Sequence, residues 1–235
     1  MTHPARQLTL DWPHETSWAR EDFLSAPENA GALRTLEAWP RWPSPVQLLV
    51  GPRGSGKSHL GAIWARLAQA GAVSAERLAD GALVELAGGP ALLIEDADRI
   101  GPAEATLFHL FNLLSEHGAS ALITARLAPD LWGLKTPDLL SRLRLAPMLT
   151  LGEPGLELTQ AVLFKLFSDR QLIVEPTVVA YIALRIERSL DAARAVAAAL
   201  DRESLARGQR VTRAMAAALL SDAADNEAVA LTPPH

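Results

Sequence analysis

Cysteine is missing from all 235 residues, which excludes disulfides and thiolate metal sites. An apolar leader is missing as well, and no apolar run approaches the roughly 20 residues needed to cross a bilayer. Positive charge is scarce: 22 lysines and arginines face 27 acids, for a formal charge of −5. A chain that wraps phosphate backbones with basic residues is thereby excluded, although local basic faces stay open. These absences lead to the expectation of a soluble cytoplasmic protein without a membrane partner. Glycine and proline are ordinary, at 15 and 16 residues. With 49% of residues apolar and 21% charged, the chain can bury a sizeable core, and its length leaves room for one α/β domain with a small appendage.

The stretch that organises the chain is Gln47-Leu48-Leu49-Val50-Gly51-Pro52-Arg53-Gly54-Ser55-Gly56-Lys57-Ser58-His59-Leu60. An apolar strand-like run breaks into a glycine-rich turn and restarts as a helix, with the complete GxxxxGK[ST] spacing of a phosphate-binding loop. Gly51, Gly54 and Gly56 let successive N–H groups converge on a polyphosphate. Lys57 is then expected on the β- and γ-phosphates and the Ser58 hydroxyl on Mg²⁺, both at a helix N-terminus that favours anions. Pro52, Arg53, Ser55 and His59 complete the candidate nucleotide-binding set.

Downstream, Pro90-Ala91-Leu92-Leu93-Ile94-Glu95-Asp96-Ala97-Asp98 is a buried strand ending in acids. Such an edge suits a parallel sheet that presents a metal ligand and a water-activating base beside phosphates; a strand followed by a solvated acidic turn is the plainer alternative. Glu95 is the candidate metal ligand with Ser58, and Glu95 with Asp96 the candidate catalytic pair. The usual order is aspartate then glutamate, and here it is reversed. A carboxylate displaced by a methylene can cost a large factor in rate, so intrinsic hydrolysis is expected to be slow or absent. Ala119-Ser120-Ala121-Leu122-Ile123-Thr124 is a further buried strand, with Thr124 where a γ-phosphate sensor is expected. Helices are expected from Ser25 or Pro27 to Trp39, from Ser58 to about Gln69, and from Pro102 to His117.

Near the N-terminus, Gln7-Leu8-Thr9-Leu10-Asp11-Trp12 places large apolar groups behind a glutamine. It reads either as a first strand tucked onto the domain or as a docking peptide, with Leu8, Leu10 and Trp12 entering a partner's pockets and Gln7 fixing register. The peptide resembles the bacterial sliding-clamp-binding motif.

Taken in order, Leu92-Leu93-Ile94-Glu95-Asp96, Leu107-Phe108-His109-Leu110-Phe111-Asn112, Leu122-Ile123-Thr124 and Asp138-Leu139-Leu140-Ser141-Arg142-Leu143 resemble the AAA+ domain of the bacterial replication initiator DnaA, and still more its shorter relatives of the Hda type. The resemblance runs from about Asp22 to Leu220 and implies an α/β AAA+ fold: a parallel-sheet core over 16–151, preceded by a clamp-docking peptide over 1–15 and followed by an all-helical lid over 152–223 and a flexible tail over 224–235. The lid is expected as four helices, Pro154 to about Gln171, Glu175 to Arg185, Leu190 to about Ala206 and Thr212 to about Ala223. The resemblance further implies that Asp22 and Phe23 join the nucleotide site. It makes Arg142 an arginine finger for a neighbour's ATP, with a surface salt bridge as the plainer reading. Arg188, in Ile186-Glu187-Arg188-Ser189-Leu190-Asp191, is its lid arginine that touches phosphate, with Arg185 and Arg194 as competitors. It implies ADP or ATP with Mg²⁺ as ligands, and initiator DnaA, the DNA polymerase sliding clamp and a second copy of the chain as partners. Only a short tail over 224–235 follows the lid in this sequence, so a helix-turn-helix domain and sequence-specific DNA reading are not expected. One departure is Arg126, which stands where the initiator has an acid two positions beyond the Thr124 equivalent. The implied activity is stimulation of ATP hydrolysis by the initiator; a self-contained ATPase such as a helicase loader, or a non-catalytic adaptor, are the alternatives.

Overall fold

Three strands of the sheet are apolar almost end to end because both faces of the sheet are covered. The computed structural model describes residues 18–80 and 88–230, and Gln7, Leu8, Leu10 and Trp12 lie outside the described residues. Five parallel strands, β1 (Val46–Val50), β2 (Gly71–Ser74), β3 (Ala91–Glu95), β4 (Ser120–Ala125) and β5 (Met148–Thr150), form one sheet in the order β2-β3-β4-β1-β5. Successive side chains point to opposite faces. Leu48, Val50, Leu92, Ile94, Ala121 and Ile123 therefore share one cluster with α3 (Glu104–Glu116) and α4 (Pro137–Leu145), through Leu107, Leu110, Leu139 and Leu143. Leu49, Leu93 and Leu122 pack on the other face against α1 (Pro27–Glu37) and α2 (Lys57–Ala68), through Leu33, Leu36, Leu60 and Trp64. Each such buried leucine contributes about 1.5–3 kcal/mol of transfer free energy.

The helix starts follow local rules. At the start of α1 the choice falls on Pro27, which needs no N–H partner at the first helical position. Asn29 then closes the turn, its Oδ1 accepting the Ala26 N–H at 2.8 Å while its amide donates to the Leu24 carbonyl at 3.0 Å. The region after α2 contains β2. Its four residues lie at the sheet edge and are half or fully exposed, so they lack the apolar run by which the central strands announce themselves. The three-residue β5 pairs with β1 on the other edge for the same reason without a signal of its own.

After Gly152-Glu153-Pro154-Gly155 the chain is wholly helical: α5 (Leu156–Asp169), α6 (Pro176–Ala183), α7 (Leu190–Arg207) and α8 (Arg213–Ala230). Leu163, Phe167, Val179, Ile182, Ala193, Leu200 and Met215 give this unit a core separate from the two at the sheet. Ser189 caps α7 by accepting the N–H groups of Asp191 and Ala192 at 3.2 and 3.4 Å. The last helix runs to Ala230, beyond the expected limit of 223, so the segment anticipated as a flexible tail from 224 begins as helix.

The helical unit seats directly on the glycine-rich turn. The Leu190 N–H donates to the Gly54 carbonyl at 2.8 Å, Arg53 pairs with Asp191 at 3.5 Å, and Gly155 N–H donates to Glu28 at 2.9 Å. Lys165 on α5 ties back to Asp22 of the core at 2.7 Å and to Asp169 of its own helix at 2.7 Å. Burial opposes its charge, yet these carboxylates prevail and hold its pKa above the ordinary lysine value.

Candidate nucleotide site

The parallel register brings the carboxyl ends of β1, β3 and β4 to one edge. Val50 lies beside Ala125, Ile94 beside Ile123, and the Gly51 N–H donates to the Ala125 carbonyl at 3.1 Å. Ligands of open α/β sheets bind outside this edge. The chain leaves β1 into the turn, where Gly54 and Gly56 have φ of 69° and 99°. A side chain there would be strained by sterics with the following carbonyl. Among the described residues, the N–H groups of Gly54 and Gly56 donate to no acceptor. No acid occupies the first turn of α2. Lys57 lies back across the mouth of the turn, its ammonium donating to the carbonyls of Gly51 and Pro52 at 2.8 Å each. Burial lowers its pKa, against the pull of Asp96 and Asp98. Unclaimed N–H donors, a partly desolvated ammonium and a helix N-terminus without acids together fit a polyphosphate.

Glu95 and Asp96 arrive from β3. Glu95 is half-buried and takes a hydrogen bond from the Ser58 hydroxyl; burial first, and then the charge of Asp96, push its pKa up. Asp96 adopts φ of 52°, and its N–H donates to Thr124 Oγ1 at 3.2 Å. Thr124 itself is only 2% exposed, locked at the end of β4. Ser58, Glu95, Asp96 and Thr124 therefore converge beside Lys57, and the oxygens of Ser58 and Glu95 have the hard-donor chemistry that suits Mg²⁺.

Arg126, the departure from the expected acid, has a specific partner. Its N–H and Nε each donate to the Asp98 carboxylate at 3.0 Å, and the Asp98 side chain is 5% exposed. A buried carboxylate needs this kind of two-point neutralisation. Asp98 was readable only as the last acid of the strand; its pairing across to the end of β4 had no signal in the sequence.

Between the core and the helical unit lies a cavity of about 340 Å³. Asp22, Phe23, Gly56 and His59, all expected at the nucleotide, line it. His59 sits edge-on between Trp18 and Phe23, with ring centroids 5.4 and 5.2 Å away, and its Nε2 donates to the Ala19 carbonyl at 2.9 Å. Burial depresses its pKa despite that bond, so the ring is neutral. The opposite wall comes from α5 and α7: Leu158, Val162, Leu166, Lys165, Leu190 and Arg194. A planar base matches the apolar part of this cleft, and a cavity this size is at the lower end of small-ligand sites, about 300–1,000 Å³.

Of the three candidates Arg185, Arg188 and Arg194, only Arg194 lines the cavity, as Arg170 at the end of α5 also does; its guanidinium lies 5.4 Å from the Trp18 ring and 3.2 Å from Asp191. Arg188 is exposed on the connection before α7 and is not among the lining residues, and Arg185 turns onto Tyr181. Pro52 and Arg53 are exposed, whereas Ser55 is buried.

Arg142 stands apart from this site. It is exposed on α4, its Nη1 donating to Asn112 Oδ1 at 2.7 Å and its guanidinium 4.7 Å above the Phe108 ring, both on α3. The start of α4 is gripped from the same helix: Glu104 accepts the N–H groups of Lys135 and Thr136, each at 2.9 Å from Oε2. Glu104, Phe108 and Asn112 recur every four residues and so share one face of α3.

No protein-family model matches the chain, and no curated protein matches it by sequence. Solved structures do. Domain III of the replication initiation protein DnaA from Thermotoga maritima superposes with a TM-score of 0.76 at 20% identity, over 87% of this chain and 96% of that one. DnaA of Aquifex aeolicus bound to AMPPCP gives 0.64 at 18% identity, over 78% of this chain and 64% of that one. The RuvB Holliday junction branch migration motor of T. maritima gives 0.69 at 18%, over 87% and 72%. The class of fold is thus that of an AAA+ P-loop ATPase domain with its helical lid. Within that class it is the fold of the DnaA AAA+ domain, and the chain spans less than two thirds of the longer A. aeolicus DnaA chain.

Proposed function

We propose that the chain is a nucleotide-bound regulator of replication initiation that stimulates ATP hydrolysis by the initiator DnaA. In this reading ADP or ATP lies between the phosphate-binding turn and the lid, with its phosphates on the N–H groups of residues 51–58 and on Lys57. Mg²⁺ is held by Ser58 and Glu95 together with the phosphates, and supplies charge neutralisation there. Phe23 and His59 flank the base, and Arg194 takes the lid position first assigned to Arg188. Gln7, Leu8, Leu10 and Trp12 dock the chain on the sliding clamp, and Arg142 completes the ATP site of a neighbouring initiator molecule.

The observation that carries the reading is the state of Arg142. It is exposed, free of any carboxylate among the described residues, and braced by Phe108 and Asn112. A planar cation presented in that manner suits charge spreading over a γ-phosphoryl group, a contribution on the order of 10³-fold or more in rate. The likeness to DnaA domains, one of them bound to AMPPCP, supports adenine as the base and replication as the setting. The reversed acids Glu95 and Asp96, and Arg126 committed to Asp98, favour lending an arginine over autonomous turnover.

The test is ATP turnover by the initiator with this protein, clamp and DNA, each omitted in turn. Arg142→Ala should abolish the stimulation while nucleotide and clamp binding persist. Stimulation that survives the substitution removes the finger, and turnover by the pure protein would instead establish a self-contained ATPase. Replacing Leu10 and Trp12 by alanine should eliminate clamp binding; unchanged affinity returns that peptide to a structural role.

A further inference from the structure

A positive charge stands where the strand order puts the outer end of a bound polyphosphate. β4 runs between β3 and β1, and its last residue is tied to the phosphate-binding turn, since the Gly51 N–H donates to the Ala125 carbonyl at 3.1 Å. Arg126 follows at once, beyond the carboxyl edge on which ligands of parallel sheets bind. An acid at this position would repel a phosphate, whereas the arginine attracts one.

Its neighbours on the strand offer a phosphate little. Thr124 is 2% exposed and its Oγ1 already accepts the Asp96 N–H at 3.2 Å, while Ala125 is buried and has no polar group in its side chain. Arg126 is different, with 38% of its side chain exposed. Its backbone N–H and its Nε each donate to Asp98 at 3.0 Å, but neither Nη has a partner among the described residues. The buried Asp98 thus grips the guanidinium by one edge and leaves the rest of its donors unused. A side chain already held in place gives up less freedom when it takes a ligand. Lys57 feels the same charge: burial first lowers its pKa, Asp96 and Asp98 oppose this, and Arg126 adds to the depression. Two cations that repel each other are both relieved by a bound anion.

We propose that Arg126 binds the γ-phosphate of the nucleotide held by its own chain, and so makes the site prefer a triphosphate to a diphosphate. The N–H groups of the turn serve the inner phosphates and Lys57 reaches the junction of the β- and γ-phosphates. What remains for a donor at the end of β4 is the outermost phosphate. Asp98 is then a positioning residue, acting through the guanidinium it holds. A contact made before any bond breaks retains the triphosphate without speeding its cleavage. The inference rests on the nucleotide site proposed above and is independent of Arg142.

The experiment is isothermal titration calorimetry of the full-length protein, freed of nucleotide, with AMPPCP and with ADP in the presence of Mg²⁺. The wild type should bind AMPPCP more tightly than ADP. Arg126→Ala should weaken AMPPCP by about 10- to 100-fold, the worth of a hydrogen bond between charged groups. ADP, which never makes the contact, should stay within about a factor of two. Because Arg126→Ala leaves the buried Asp98 without its cation, Arg126→Ala/Asp98→Asn removes that charge as well; its retained ADP binding reports a folded site, and its AMPPCP affinity should fall by the same factor. Arg126→Lys, which keeps the charge and loses the planar fork, should fall between wild type and alanine. Arg66→Ala, at an exposed arginine toward the end of α2, should leave the ratio of the two affinities unchanged. AMPPCP affinity that survives in both alanine variants, equal loss of AMPPCP and ADP, or a wild type that does not distinguish the two would each overturn the role of Arg126. A wild type that binds neither nucleotide would instead overturn the site itself, and this inference with it.

Discussion

Gly54→Ala is the substitution that most directly probes how the lid is held to the phosphate-binding turn. At φ of 69° an alanine costs about 1–2 kcal/mol, because its Cβ crowds the following carbonyl. The added Cβ would fall 1.9 Å from Ser189 Oγ, 2.9 Å from Ser189 Cβ and 3.1 Å from the Leu190 nitrogen. Rotating the serine hydroxyl away relieves the first contact but leaves the other two, which belong to the start of α7. It also removes the cap on Asp191 and Ala192, worth about 1 kcal/mol. The total is about 2–4 kcal/mol. At roughly 2–4 °C per kcal/mol for a chain of this size, Tm should fall by on the order of 5–15 °C. Scanning calorimetry reads the loss, and limited proteolysis reads whether the Leu190 to Gly54 bond opens before the sheet does. The decisive comparison is with Ser189→Ala, which forfeits the cap but also removes the clashing oxygen. Gly54→Ala/Ser189→Ala should therefore cost less than the two singles added, by about 0.5–1 kcal/mol or more. Strict additivity, or a Gly54→Ala protein melting within about 1 °C of wild type, would refute the contact as the site of the cost.

Two further outcomes follow from burial and titration. Leu122→Ala, at a fully buried β4 position facing α1 and α2, should cost about 2–5 kcal/mol in chemical denaturation with its slope unchanged, and a loss below about 1 kcal/mol would mean that the site collapses to fill the void. Glu95→Gln should stabilise the protein at neutral pH. The folded-state pKa of Glu95 is raised, so its ionisation penalty is absent below the ordinary carboxylate pKa and grows as pH rises through the raised value. Thermal melts at pH 4 and pH 7.5 should thus show a variant advantage only at the higher pH; an advantage that is equal at both would place its cause elsewhere.

The amino-acid sequence by itself determined the phosphate-binding turn, the central strands and the four helices after residue 152. Each is a local matter: a glycine spacing that obliges the backbone to turn, apolar runs that demand cover on both faces, and helical periods with proline or a hydroxyl at their starts. It also displayed Ser141-Arg142-Leu143 as a peptide, though not what braces it. The edge strands β2 and β5 stayed hidden because four and three partly exposed residues carry no pattern until a neighbour supplies their hydrogen bonds. Only the tertiary structure decided which lid arginine faces the cleft. Arg185, Arg188 and Arg194 are equivalent as letters, but the Ser189 cap and the Leu190 to Gly54 bond set the rotation of α7, and that rotation turns Arg194 inward, while Arg188 stays exposed on the connection before the helix. The pairing of Asp98 with Arg126 and the far wall of the cavity, drawn from α5, were decided in the same way. Burial and electrostatic neutralisation act between groups that are distant along the chain, and they exist only once the sheet and the lid have closed on each other.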